Sequence, residues 1–479
     1  MKKRTKIIAT LGPASTNGNK IEKMLHSGAD VFRINLSHTS IQETKRIIDL
    51  VRDKENKVGR PVAVMLDLQG QKVRIRGFKN KSFIKLKGGD KFVIDSSLID
   101  NGNQNQVGIT YKDLYKNVNV GDELLLSDAL IKLRVDKIKT KKIYTTVERG
   151  GKLKPYQGLN KKGGGLSLSG ITAKDKADLK ASLELEYDYI AVSFVKDDKD
   201  IQEIKKLIKN KDIRIIAKIE RNEAIKNIDK ITKISDGLLV ARGDLGVEIG
   251  IEQLPAAQKF LIRKAISADK IAIVATQMME SMITNRVPTR AEVFDVANAV
   301  SSGVDAIMFS AETAIGKFPA EVISEASRIC VESEHAYIRP LSVDRVVPKT
   351  LPVDQVIALS AVYSAKLTRV VAIAALTETG STALWMSRVQ SNIPIYAMTQ
   401  NIRTGRRICL YKGVQSIYLD QLEDNHAQAN LQVIDLMKEI GTVKKGDLVI
   451  ITKGDLLGTS GGTNAMKVVE VGNMIEINE

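Results

Sequence analysis

The feature that most limits what this chain can become is a repeat of short apolar strands alternating with amphipathic helices. Apolar runs over 6–11, 31–37 and 61–68 read as strands, with helix-period stretches at 19–26 and 40–56 between them. After an interruption the alternation resumes, with strands expected at 189–194, 214–220, 237–243, 271–276 and 306–309. Helices are expected at 173–185, 198–209, 222–234, 254–268, 289–302 and 320–335. Strands that alternate with helices argue for a parallel sheet, and eight such units predict a closed (β/α)8 TIM barrel. A doubly wound open sheet is the other arrangement this pattern allows.

The interruption follows the third strand. From 70 to 169 there are short β segments, turn pairs such as Gly88-Gly89 and Gly150-Gly151, and no helix-period stretch. This predicts an all-β insertion, a β-barrel-like lid over 71–169. Its exit, Lys161-Lys162-Gly163-Gly164-Gly165, reads as a basic, flexible hinge. The barrel then comprises 1–70 and 170–345. A linker over 340–348 leads to a C-terminal α/β open-sheet domain over 346–479, with a helix at 353–366, a strand at 370–375 and a last apolar run at 467–471 closing the sheet. Between strand and helix lies Thr377-Glu378-Thr379-Gly380-Ser381-Thr382. Hydroxyls and glycine there suit either a phosphate cradle or an ordinary N-cap by Thr379 or Ser381. A second hydroxyl-rich turn covers 458–464.

Composition removes several function classes. The net charge is +17, from 73 Lys and Arg against 56 Asp and Glu, which suits anionic partners. Acids and bases alternate along the helices, and no basic run is interleaved with aromatics, so no nucleic-acid partner is expected. No apolar stretch reaches the roughly 18 residues of a membrane span. Cys330 and Cys409 lie far apart, and His26, His38, His335 and His426 form no ligand motif, so a reducing, cytoplasmic setting without zinc is expected.

In a barrel, reactive groups collect at the C-terminal ends of the strands. The stretch Arg214-Ile215-Ile216-Ala217-Lys218-Ile219-Glu220 shows how: Ile215, Ala217 and Ile219 share one face, and Ile216, Lys218 and Glu220 the other. Taken alone, that polar face reads as merely solvated. The other strand ends change this. They supply Arg33, Asn35 and Ser37; Asp67, with Lys72 and Arg74 beyond it; Arg242, Gly243 and Asp244; Thr276 and Gln277; and Ser310 and Glu312. Glu220 and Asp244 are hard oxygen ligands suited to Mg²⁺ or Mn²⁺. Arg33, Arg74 and Lys218 are cations for a multiply charged anion, and Gly243 lets backbone N–H groups approach a carboxylate. This is the equipment of phosphoryl transfer. A helix N-cap at Asp244 and a structural ion pair at Arg33 are the plainer readings of those two residues.

Several motifs resemble the pyruvate kinase family. They are Thr5-Lys6-Ile7-Ile8-Ala9-Thr10-Leu11-Gly12-Pro13-Ala14-Ser15, Arg33-Ile34-Asn35-Leu36-Ser37-His38, Ala217-Lys218-Ile219-Glu220, Val240-Ala241-Arg242-Gly243-Asp244-Leu245-Gly246, Ala275-Thr276-Gln277-Met278, Pro288-Thr289-Arg290-Ala291-Glu292 and Ser310-Ala311-Glu312-Thr313-Ala314. They run in order over nearly the whole chain. The resemblance implies conversion of phosphoenolpyruvate and ADP to pyruvate and ATP, the last step of glycolysis. It implies that Glu220 and Asp244 hold Mg²⁺, that Lys218 neutralises the phosphoryl group in flight, and that Arg33 and Arg74 grip phosphate. It also implies that Gly243, Asp244 and Thr276 hold the substrate carboxylate, with Thr276 on the side where the enolate is protonated. Asn35, His38, Arg74 and Lys162 would serve the nucleotide, and the β domain would close as a lid that excludes water.

One departure stands out. Most members hold K⁺ at positions matching Asn35, Ser37, Asp67 and Leu68, with a Glu where this chain has Lys72. A lysine ammonium supplies the charge that K⁺ would bring, so activity without a monovalent cation is expected. The Thr377, Thr379, Gly380, Ser381 and Thr382 loop sits at the position of the family's sugar-phosphate effector loop. A phosphorylated effector, whether sugar phosphate or nucleotide, is therefore expected, with Glu378 and Lys453 leaving its charge pattern open. The family is usually a homotetramer. The competing enzyme class is a pyruvate aldolase on the same barrel, either metal-dependent or using Lys218 as a Schiff-base amine.

Overall fold

The computed structural model describes residues 3–79, 81–166, 170–209, 211–336, 350–389, 391–423, 425–455 and 461–473. Eight parallel strands close into a barrel: Lys6–Leu11, Val31–Asn35, Ala63–Asp67, Tyr189–Val192, Arg214–Ile219, Gly237–Ala241, Ile271–Ala275 and Ala306–Phe309. The first strand pairs with the last, Ile7 opposite Ile307, so no open edge remains and the doubly wound alternative is excluded. The third and fourth strands pair directly, Ala191 opposite Asp67, although residues 68–188 separate them in sequence. The insertion therefore leaves and re-enters at the mouth of the barrel without disturbing it.

Period-2 alternation sorts the side chains. Ile215, Ala217 and Ile219 pack outward against the helices with Phe32, Ile34 and Leu36. Ile216 points inward with Ile8, Val31, Met65, Tyr189, Leu239 and Ile273. That inner cluster does not end at the barrel floor. It continues into Ala361, Val362, Ile373, Met386, Ile408 and Ile450 of the C-terminal domain. The Tyr189 hydroxyl donates to the Arg407 carbonyl at 2.6 Å, and Lys6 Nζ donates to the Val414 carbonyl at 2.6 Å. The C-terminal domain thus plugs the N-terminal end of the barrel and leaves the opposite end for the site.

The insertion is all-β apart from one 3-10 turn at Leu114–Lys116. It forms a six-stranded sheet and a separate two-stranded sheet around its own core, which includes Phe92, Ile94 and Leu133. The C-terminal sheet has five strands, with Val370–Leu376 central and Thr463–Glu470 antiparallel at the edge. The expected linker at 340–348 and residues 458–460 of the late loop lie outside the described residues.

Two expected elements differ. The helix expected over 222–234 is two helices, Asn222–Lys226 and Ile228–Ile234. Asn227 breaks it, its side-chain amide donating to the Glu223 and Lys196 carbonyls. The strand expected over 237–243 ends at Ala241. Arg242, Gly243 and Asp244 open the helix Arg242–Ile249 instead, which leaves their backbone N–H groups without intrahelical acceptors.

Candidate functional site

Asp67, at the end of the third strand, is the centre of the mouth. It is 1% exposed, and its carboxylate accepts from Arg33 Nε at 2.6 Å and from Lys218 Nζ at 3.2 Å. Arg33 also donates to Thr10 Oγ1 at 3.0 Å. Ser193, just past the fourth strand, adds a hydroxyl that donates to the Leu68 carbonyl at 2.7 Å and accepts from Lys218 Nζ at 2.7 Å. The plainer reading of Arg33 as an ion-pair partner is thus correct, and Asp67 and Thr10 together fix its guanidinium.

Electrostatics favours the charged forms of Lys218 and Asp67. Burial works against the Lys218 ammonium, yet Asp67 and then Glu220, 3.2 Å away, hold its pKa above the ordinary lysine value. Burial likewise opposes ionisation of Asp67, and Arg33 and Lys218 bring its carboxyl below the usual range. Glu220 goes the other way. Burial raises it, and Asp244 adds to the rise. One Glu220 oxygen accepts the Phe194 amide at 2.7 Å, from a residue with φ 53°.

Two carboxylates that repel each other beside an open mouth fit a divalent cation. Among the described residues no group of three His, Cys, Asp or Glu side chains forms a metal cage. Glu220 and Asp244 therefore suit an ion that keeps waters and binds a substrate oxygen, as Mg²⁺ does. Asp244 lies in the first turn of its helix without capping it, so the N-cap reading fails. Its carboxylate accepts from Lys72 Nζ at 2.5 Å. Gly243 N donates to Thr276 Oγ1 at 2.8 Å, and that hydroxyl donates to the Ala275 carbonyl at 2.6 Å. Thr276 has φ 69°, a costly conformation for a β-branched residue, held by Arg242 donating to its carbonyl at 2.6 Å.

Not every expected residue joins this cluster. Asn35 turns its carboxamide oxygen to the Ser37 amide at 3.0 Å, and His38 is exposed. Arg74 belongs to the lid, where it is exposed and donates to the Tyr156 carbonyl at 3.1 Å. Lys162 pairs with Glu123 on the lid at 3.1 Å. Glu312 accepts the amide of Ser310 in its own turn. Ser193 and Phe194 went unrecognised in the sequence, because a lone Ser after an apolar run carries no pattern. The expected hinge is tethered rather than loose: Gly163 N donates to the Glu248 carbonyl at 2.9 Å, Gly165 N to Glu223 at 2.7 Å and Asn222 Nδ2 to the Gly163 carbonyl at 3.0 Å.

In the C-terminal domain, Thr377, Glu378, Thr379, Ser381 and Thr382 line a cavity of about 240 Å³ with Thr399 and Thr463. Gly380, with φ 82°, caps the helix Ser381–Arg388, and its amide donates to Thr377 Oγ1 at 3.0 Å. The cap is therefore glycine and not Thr379 or Ser381. Lys453 donates to the His426 carbonyl and to Asn430, and is not among the lining residues.

Family models match most of the chain: the pyruvate kinase barrel domain over residues 2–323 and the pyruvate kinase alpha/beta domain over 355–469. The chain is 44% identical over 477 residues to pyruvate kinase II of Salmonella typhimurium, covering 98% of this chain and 99% of the relative. It is 45% identical over 477 residues to a pyruvate kinase of Buchnera aphidicola, with the same coverage. The crystal structure of a Cryptosporidium parvum pyruvate kinase superposes with a TM-score of 0.91 at 32% identity, covering 98% of this chain and 96% of that one.

The lid tether carries a pH-dependent group. Burial, then the charge of Glu223, pushes the Glu248 carboxyl from 4.5 up to about 7. Arg221, together with hydrogen bonds from the Asn222 amide and the Asn160 side chain, offsets part of that rise. A pKa raised by folding stabilises the tethered arrangement fully below the ordinary value, and the contribution is lost as pH rises through about 7. Amide exchange at Gly163 and Gly165 is expected to speed up across neutral pH beyond its intrinsic base catalysis. Glu248→Gln should flatten that excess; an unchanged excess in the variant contradicts the assignment.

Proposed function

The chain belongs to the pyruvate kinase family, and we propose how its own side chains carry out that family's reaction. It is a phosphotransferase that moves a phosphoryl group from phosphoenolpyruvate to ADP, giving pyruvate and ATP. The bond from phosphorus to the enol oxygen breaks, a bond to the terminal oxygen of ADP forms, and the enolate carbon takes up a proton. The observation that carries the residue assignment is the pair of cations fixed on one buried carboxylate: Arg33 and Lys218 on Asp67.

Arg33 and Lys218 receive the substrate phosphate, and Lys218 balances its charge as it transfers. Positioned charge of this kind is the main source of catalysis in phosphoryl transfer. The Gly243 and Asp244 amides at the start of their helix, with the Thr276 hydroxyl, receive the carboxylate. Thr276 lies on the face where the enolate is protonated. Glu220 and Asp244 are the residues that would hold Mg²⁺ or Mn²⁺, and the ion when bound neutralises phosphate and enolate oxygens. Asn35, His38, Arg74 and Lys162 take the nucleotide once the lid swings over the mouth, which supports the exclusion of water.

The aldolase reading is not favoured. A Schiff-base lysine needs a neutral amine. Lys218 is ion-paired with Asp67 and Glu220, and its pKa is raised.

The C-terminal cavity around Thr377–Thr382 suits a phosphorylated effector through its hydroxyls and the N-terminal amides of the helix Ser381–Arg388. Assembly as a homotetramer and residence in the cytoplasm rest on the family alone.

Lys72, paired with Asp244 at the mouth, supports catalysis without K⁺. With tetramethylammonium as the only monovalent cation, pyruvate formation is expected to stay within about twofold of that in K⁺. Lys72→Glu should make the enzyme K⁺-dependent by tenfold or more. Collapse of the unmodified enzyme in tetramethylammonium, restored by K⁺, contradicts this role.

In an ADP- and Mg²⁺-dependent pyruvate assay, Lys218→Met is expected to lose on the order of 10²–10³-fold in kcat with its fold intact. Equal rates in both proteins refute the role of Lys218.

A further inference from the structure

At the barrel end opposite the mouth, a cavity of about 380 Å³ opens on the seam with the C-terminal domain. That is the size of a metabolite pocket. Its charged lining comes from both domains: Arg4, Asp305 and Glu334 from the barrel, and Lys366, Arg388 and Lys412 from the C-terminal domain.

The two acids are already engaged. Asp305 is clasped by the Arg388 guanidinium, with Nη1 at 2.9 Å, and accepts the Lys412 amide at 3.1 Å. Glu334 accepts the Arg4 amide at 2.9 Å, the Thr5 amide at 2.6 Å and the Thr5 hydroxyl at 2.7 Å. Two of the cations, Arg4 and Lys412, are less well matched. Arg4 donates from Nη1 to Asn392 Oδ1 at 3.0 Å, while its Nε is buried without a partner. Lys412 Nζ reaches only the Val300 carbonyl, at 3.3 Å. Among the described residues neither side chain forms an ion pair. Burial lowers Lys412 to about 8, with Glu334 and Asp305 offsetting part of the fall and Arg4 adding to it. A partly buried guanidinium and ammonium with no ion-pair partner among the described residues, one from each domain and lining one cavity, suit an anion.

We propose that this seam cavity binds a small phosphorylated metabolite, its phosphate held between the Arg4 guanidinium and the Lys412 ammonium. The guanidinium fork matches phosphate oxygens, and the ammonium adds a point charge. The Ser333 and Ser391 hydroxyls and the Asn392 amide also line the cavity and suit the polar remainder of the ligand. Such a ligand bridges barrel and C-terminal domain, so its occupancy stiffens the seam. It is a second effector site, separate from the Thr377–Thr382 cavity and independent of the roles given to Lys218 and Lys72.

Selenate, a phosphate mimic located by the anomalous scattering of selenium, tests this in crystals of the full chain. The unmodified protein is expected to show a peak between Arg4 and Lys412 that inorganic phosphate displaces. Selenate confined to the barrel mouth or the Thr377–Thr382 cavity overturns the proposal. In solution, inorganic phosphate should raise Tm less in Lys412→Gln than in the unmodified protein, while pyruvate formation is unchanged. An equal rise in both overturns the proposal, as does a crystal peak with no Tm rise, which marks an adventitious ion only. Should Lys412→Gln fail to fold, the selenate peak and its displacement decide alone.

Discussion

One buried carboxylate organises the catalytic end of this molecule. Asp67 is almost wholly out of water, and an isolated charge there would be untenable. It is tolerated because Arg33 and Lys218 converge on it from the neighbouring second strand and from the fifth, with the Ser193 hydroxyl close to both Asp67 and Lys218. The dependence is mutual: Asp67 holds both cations in place and favours the charged form of Lys218. Removing one member of such a buried set costs about 3–5 kcal/mol, because it strands the others. Here that constraint is put to use. The Arg33 guanidinium and the Lys218 ammonium are held by Asp67, Thr10, Ser193 and Glu220, so positive charge at the mouth is positioned before a phosphate arrives.

The same logic explains the division of the barrel into two ends. The inner face is apolar from the floor upward, and its cluster runs unbroken into the C-terminal domain. Events at the C-terminal domain therefore bear on a packed core and not on a loose tether. Tyr189 is on the strand that precedes Ser193, and its hydroxyl is tied to Arg407, whose guanidinium donates to the Thr379 carbonyl at 3.2 Å. A chain of direct contacts thus joins the hydroxyl-rich cavity to the strand beside Lys218. The seam between the domains is crossed by matched pairs such as Arg406 with Glu55 and Arg388 with Asp305, and by the unmatched Arg4 and Lys412.

Much of this was legible in the chain. Strands at Lys6–Leu11 and Ala306–Phe309 fall where the apolar runs do, and the two faces of Arg214–Ile219 divide as the alternation requires. The inserted domain was visible as a change of period. What failed has physical causes. Apolar periodicity cannot separate the last residue of a strand from the first turn of a helix, so it extends the strand over Arg242 and Gly243, which open the helix. Asn227 ends a helix through its own side chain, which a hydrophobic pattern does not register. Ser193 and the Arg4–Lys412 seam are defined only by partners distant in sequence. Glycines at 163–165 suggest freedom, whereas the Gly163 and Gly165 amides and the Gly163 carbonyl are bound to the barrel.

The central claim is that Asp67 fixes two cations for phosphoryl transfer rather than merely stabilising the barrel. The most direct measurement is kcat for pyruvate formation in Asp67→Asn, with saturating substrates and Mg²⁺, on protein whose fold is verified by circular dichroism. The side chain keeps its size and loses its charge. The account predicts a fall of on the order of 10²-fold or more, with retained secondary structure. A kcat within twofold of the unmodified enzyme would contradict it.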